Sequence, residues 1–244
     1  MVKIQPISAA GYLFKGMNLM FKPGIRRYVF IPLIINILLF AFGFYYLFQQ
    51  FDVMLQAIEH WLPEWLGWLI YLVWPIGVLT ILIAFGLFFG LLANWLAAPF
   101  NGMLSAKVER MLTPHHLALP ERTLAQEVTQ AFKREWQKLK YWLPRACLCA
   151  ILFIIPIGGQ LVAPWIWMLF SAWMMTIQYC DYPYDNHQVT FKLMRKDLGR
   201  YRWRNLSFGG IIMLLSSVPI LNLFVMPMAI CASTAMWVDD QQYS

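Results

Sequence analysis

The apolar positions of this 244-residue chain gather into four long runs, with basic polar segments before, between and after them. The first run, Val29 to Phe48, is twenty residues without a charge, which as helix is one ~30 Å membrane span at ~1.5 Å per residue. Pro32 falls in its first turns, where a missing N–H does least harm. Tyr28 at one end and Tyr45, Tyr46 and Phe48 at the other sit like interfacial aromatic belts. The second run, Trp65 to Phe100, predicts a helix of ~54 Å, longer than the hydrocarbon layer, so it tilts or projects. Its continuation, "NGMLSAKVERML", reads as the same helix emerging on the basic side.

The third and fourth runs differ in kind. Cys147 to Cys180 and Phe208 to Val238 each exceed thirty residues, too long for one span and too short for two. Both carry the same punctuation, a Pro-Ile followed by a second proline eight residues after the first: Pro156 and Pro164, Pro219 and Pro227. Breaking each run there leaves one arm too short to cross, so residues 147–180 and 208–238 predict re-entrant helical hairpins. Irregular backbone at that depth is tolerated only where protein or a watery cavity surrounds it. Between them, Thr123 to Leu143 predicts a basic amphipathic helix. Val128, Phe132, Trp136, Leu139 and Leu143 recur every three or four residues, with Lys133, Arg134, Lys138 and Lys140 on other faces. Such a helix lies on the membrane surface or on the bundle. The fold class is therefore an all-α integral membrane protein. A single membrane domain (1–244) comprises an amphipathic N-terminal helix and loop (1–27), a spanning helix (28–51), a long spanning helix (65–112), a basic amphipathic helix (121–143) and the two hairpins.

Composition agrees: 60% of residues are hydrophobic and 13% charged, against about 25% charged in soluble domains. All nineteen Lys and Arg fall in three segments, five in residues 1–27, eight in 101–146 and six in 181–207. The intervening segment Phe51 to Gly67 has Asp52, Glu59 and Glu64 but no cation. The positive-inside rule places the three basic segments in the cytoplasm and the acidic loop outside. The net charge of +7 is thus topology, and no nucleic-acid partner is implied. Four cysteines lie in or beside apolar runs and predict neither a disulfide framework nor a metal site. No P-loop, HExxH, GxSxG or paired carboxylate is present, so neither an enzyme nor a cofactor is expected, and any transport is not driven by ATP bound to this chain. "DYPYDNH" places Asp181, Asp185 and His187 close in sequence, but Pro183 predicts a helix break and a turn that keeps them apart.

One stretch does suggest chemistry. "KGMNLMFKPGIRR" (Lys15 to Arg27) holds four cations, and the first carboxylate of the chain is Asp52. Arg26 and Arg27 open the first spanning helix, whose free N–H groups carry about half a positive charge. Gly16 allows backbone amides to approach a ligand. Two guanidiniums, a helix N-terminus and amides form a cradle for a tetrahedral anion. On the residues alone the plainer reading is the charged collar of a membrane helix, an anchor for topology.

"PGIRR" with "PLIINILL" (Pro23 to Leu39), "ANWLAAPFNG" (Ala93 to Gly102), "KREWQK" (Lys133 to Lys138), "LPRA" (Leu143 to Ala146), "FSAWM" (Phe170 to Met174), "QYCDYPYDNH" (Gln178 to His187) and "ASTAMWVD" (Ala232 to Asp239) run in order along the chain. Together they resemble the CysZ family of bacterial inner-membrane sulfate transporters. The resemblance implies sulfate uptake for cysteine synthesis, two long spanning helices with two partly inserted helix pairs, and a homo-oligomer in membrane lipid. It further implies a sulfate site at Gly16, Met17, Asn18, Leu19, Arg26 and Arg27. Two spanning helices cannot enclose an aqueous path, so several chains must contribute to one. Asn36, Asn94, Asn101, Glu109 and Arg110 are the polar candidates to line it. The asparagines serve equally well as interhelical hydrogen-bonding groups, and Glu109 with Arg110 as a solvated pair. The competing reading is a membrane scaffold or regulator whose Arg pair serves topology alone.

Overall fold

A computed structural model describes residues 8–61, 68, 70–113, 123–156 and 158–242. Among them are eight α-helices and no strand: α1 (Ala9–Met20), α2 (Arg26–Trp61), α3 (Ile70–Leu112), α4 (Leu124–Ile154), α5 (Gly158–Asn186), α6 (Phe191–Arg200), α7 (Arg202–Ser216) and α8 (Pro219–Gln242). Among the described residues three stretches are long and apolar enough to cross a membrane: Arg26–Gln50, Gly158–Asn186 and Leu221–Gln241. The chain divides into two compact units, residues 30–98 in one and residues 1–29 with 99–244 in the other.

In the first unit, α2 and α3 form a helical pair. Phe85, itself buried, meets Phe40 and Phe44 edge-on at centroid distances of 5.2 and 5.0 Å, the geometry that places a ring's positive edge on its neighbour's negative face. Helix α2 continues to Trp61, so the outward segment predicted as a loop from Phe51 is helical for its first eleven residues. Neither glycine nor proline occurs between Phe51 and Trp61, and nothing there stops a helix. Residues 62–67 of that segment, and residues 114–122 before the amphipathic helix, lie outside the described residues.

The second unit is built from the two proline-marked runs. Ile155 and Pro156 separate α4 from α5, and Ser217 and Val218 separate α7 from α8. The first proline of each repeat therefore marks a turn, whereas Pro164 and Pro227 lie inside the following helices. Helix α4 is a single 31-residue element that fuses the amphipathic helix with the first arm of the third run. It starts on a capping box, with Thr123 and Gln126 satisfying each other's backbone N–H.

The face of α4 that packs is the charged one. Arg134 and Lys138 are about 95% buried, whereas Phe132, Trp136, Leu139 and Leu143 are exposed. Helices α5 and α7 cross at Gly209, whose missing Cβ leaves room for the carbonyl of Ala172 and the hydroxyl of Thr176. There Thr176 donates to the Asn205 carbonyl, and the Asn205 side chain donates to the Leu198 carbonyl at 2.7 Å. Helix α1 lies against α8 in the same manner. A Cβ on Gly16 would stand 2.5 Å from the Met228 carbonyl oxygen and 2.7 Å from the Ala232 Cβ.

A candidate anion site at the turn between α1 and α2

Ser8 caps α1 by accepting from the Gly11 N–H. The helix runs unbroken through Gly16, Met17, Asn18 and Leu19. The predicted role for free amides after Gly16 is therefore corrected: these N–H groups are in the interior of a helix, where each donates to a carbonyl four residues back. Gly16 is small because α8 touches it. Gly16 and Leu19 are buried, Met17 is half-buried and Asn18 is exposed.

The chain then turns in five residues. The N–H groups of Lys22, Ile25 and Arg26 close it by donating to the carbonyls of Leu19, Lys22 and Lys22 at 3.0, 3.1 and 3.1 Å. Gly24 has φ +88°, the left-handed region open to glycine at little cost. Ile25 is fully buried and Val29 nearly so, and these two apolar anchors pin a turn whose other residues are exposed. The Arg26 and Arg27 side chains project into solvent at the first turn of α2, where the helix dipole is positive. Arg27 donates to the Tyr28 hydroxyl at 3.2 Å and lies 5.0 Å from the ring centroid.

The structure adds Lys107, a residue that sequence reasoning passed over. Its Cε is 4.0 Å from where a Cβ on Gly24 would be. No spacing along the chain could reveal this, because α3 delivers Lys107 to the turn from more than eighty residues away. Among the described residues, no carboxylate lies within ion-pair distance of Lys22, Arg26, Arg27, Lys107 or Arg110. Lys15, by contrast, pairs with Asp239 at 3.1 Å and leaves the candidate set. Tyr12 beside it has its pKa raised by burial and then by Asp239.

The remaining buried cations are neutralised. Arg134 Nε lies 2.8 Å from Asp185 and 3.6 Å from Asp181, and its Nη2 donates to the Val189 carbonyl. Lys138 Nζ lies 3.1 Å from Asp181 and 2.7 Å from Glu135. Burial disfavours the charge on Lys138, but Asp181 and Glu135 more than offset this and raise its pKa above the ordinary lysine value. Helix α5 runs through Pro183 to Asn186, so the predicted break at "DYPYDNH" is corrected. Asp181 and Asp185 share one face, four residues apart, and converge on Arg134. His187 pairs elsewhere, with Nε2 2.7 Å from Glu109 and its ring stacked 4.3 Å from that of Trp237.

The pathway candidates are accordingly dispersed. Glu109 is buried and bonded to His187 while Arg110 is exposed, so the two are not a solvated pair. Asn101 is buried and donates to the Tyr182 hydroxyl at 3.2 Å. Asn36 is half-buried in the α2–α3 unit, and the side chain of Asn94 lies outside what is described.

An anion approaching this chain therefore meets charge without a counter-charge at the turn, and charge already balanced at Arg134 and Lys138. A family described as "Sulfate transporter CysZ/Etoposide-induced protein 2.4" matches residues 12–227, which take in the turn, the third run and the fourth as far as Pro227. With that match over most of its length and its long apolar helices, the chain is a multi-pass, all-helical membrane protein that belongs to the CysZ/Etoposide-induced protein 2.4 sulfate-transporter family.

Proposed function

We propose that the chain moves sulfate across the bacterial inner membrane to supply cysteine synthesis, without ATP, along a channel-like path shared between subunits of a homo-oligomer. The observation that carries this reading is the exposed Arg26–Arg27 pair at the positive end of α2, joined by Lys22 and Lys107 and opposed by no carboxylate among the described residues. A fully ionised tetrahedral anion is the natural complement of two fork-shaped guanidiniums and flanking ammonium groups. Charge-assisted hydrogen bonds contribute roughly 1.5–3 kcal/mol each, so a few suffice for micromolar binding.

Gly16 and Leu19 act by position in this reading. The flush contact of Gly16 with α8 and the burial of Leu19 fix where α1 ends and so where the Lys22–Ile25 turn presents its cations. Met17 and Asn18 line the approach. Asn101 and Glu109 hold α3 to its neighbours rather than line a path. Calorimetric titration of sulfate into purified protein tests the site. Binding should vanish in Arg26→Ala/Arg27→Ala while folding and assembly persist. Wild-type affinity in that variant would leave the pair with a topological role only and favour a scaffold.

A further inference from the structure

A second basic feature lies where α6 meets α4, and it differs from the turn in being joined to an apolar groove. Tyr141 carries two guanidiniums on one ring: Arg145 Cζ is 3.7 Å and Arg195 Cζ 4.4 Å from its centroid. The two charges therefore lie within about 8 Å of each other, and like charges this close repel. Among the described residues neither has a carboxylate within 4 Å. Arg145 donates one N–H to the Tyr141 carbonyl at 2.8 Å, and the Nε of Arg195 is buried without a partner. Trp173 donates to the Tyr141 hydroxyl at 3.2 Å and fixes the ring.

Arg145 also lines a groove of about 410 Å³ between α4 and α5. Leu148, Cys149, Ile166, Leu169, Phe170 and Trp173 line it. From Trp173 to Ile166 it follows α5 for about 10 Å at 1.5 Å per residue. Its walls offer almost nothing polar, so a small hydrophilic anion gains no complement beyond Arg145. One cationic end, one greasy trough and a position next to the basic segments that face anionic lipid describe a receptor for an amphiphile with a negative head.

The geometry points to a binding site for one anionic phospholipid, its phosphate drawn to the Arg145 and Arg195 guanidiniums beside Tyr141 and one acyl chain laid in the groove. It involves none of the cations at the α1–α2 turn and does not depend on sulfate as the transported ion.

Native mass spectrometry of the full-length detergent-purified protein tests this, with phosphatidylglycerol and phosphatidylcholine of identical chains as probes. Wild type should bind phosphatidylglycerol at least tenfold more tightly, and Arg145→Gln/Arg195→Gln should abolish the preference. Leu169→Trp, which obstructs the trough and keeps both guanidiniums, should also weaken phosphatidylglycerol at least tenfold. Millimolar glycerol phosphate should not displace the lipid. Should the double variant not fold, Arg145→Gln alone, at an exposed position, should still reduce the preference severalfold. Equal binding of the two lipids by wild type, or a preference that survives these substitutions, overturns the proposal. So does displacement by glycerol phosphate, which marks a free-anion site, or loss of oligomer in Leu169→Trp with lipid binding intact, which marks a second copy as the occupant.

Discussion

Adjacent glycines on α7 should respond oppositely to the same methyl group. In Gly209→Ala the new Cβ would overlap the Ala172 carbonyl and stand 2.5 Å from the Thr176 hydroxyl. The carbonyl belongs to the α5 backbone and cannot swing aside, so α5 and α7 must separate. Overpacking of this kind costs ~1–3 kcal/mol. Displacing the buried Thr176 to Asn205 hydrogen bond adds ~1 kcal/mol, and the better helix propensity of alanine returns ~1 kcal/mol. The net loss is about 1–3 kcal/mol, or about 3–10 °C in melting temperature for a chain of this size. In Gly210→Ala the nearest atom is the Ala172 Cβ at 3.9 Å, an ordinary contact, so only the propensity gain remains and the midpoint should rise by ~2 °C. Differential scanning fluorimetry in one detergent compares the two directly. A Gly209→Ala midpoint at or above wild type, or an equal fall in both variants, would refute the argument for a close helix crossing.

Lys138→Met takes from Asp181, which is 4% exposed, its 3.1 Å partner and leaves it Arg134 at 3.6 Å, which should cost up to about 3–5 kcal/mol, read as a lowered melting midpoint. Because the folded-state pKa of Lys138 is raised, its stabilisation is fully present below the unfolded lysine value of about 10.4 and is lost only as pH rises through the folded value. The Lys138→Met penalty should therefore stay constant from pH 6 to pH 9. Glu109→Gln keeps a hydrogen-bonding side chain beside His187 and should preserve sulfate flux within twofold, whereas a tenfold fall would put Glu109 on the path. In a cysteine-free background, Gly158→Cys and Asn222→Cys should resist an impermeant thiol reagent applied from the periplasmic side. Labelling there would mean that the hairpins cross the membrane. Gly158 serves because its Cβ meets nothing within 4 Å, whereas a Cβ on Gly159 would run into the Leu152 carbonyl.

The helical class and the two turns at Pro156 and Val218–Pro219 were legible because apolar runs and a repeated Pro-Ile have few other solutions. Proline misled where it was read as a break: Pro164, Pro183 and Pro227 all lie inside helices. A proline removes one hydrogen bond from a long helix, and nearby groups can make good the loss. Periodicity found the two faces of α4 but not which one packs. That depends on Asp181 and Asp185, some fifty residues away, and on whether the apolar face looks at protein or lipid. Arg26 and Arg27 stood out because no acid precedes Asp52. Lys107 did not, since its nearness to Gly24 exists only in three dimensions. Gly16 was noticed for the wrong reason, as glycine frees a backbone for a ligand and admits a neighbouring helix equally well.

Sulfate flux tests the central claim most directly. Proteoliposomes containing wild-type protein and no ATP should take up labelled sulfate down its gradient, and Arg26→Ala/Arg27→Ala should reduce the rate at least tenfold at equal protein insertion. Wild-type uptake no faster than that of empty liposomes, or undiminished uptake by the double variant, would contradict it.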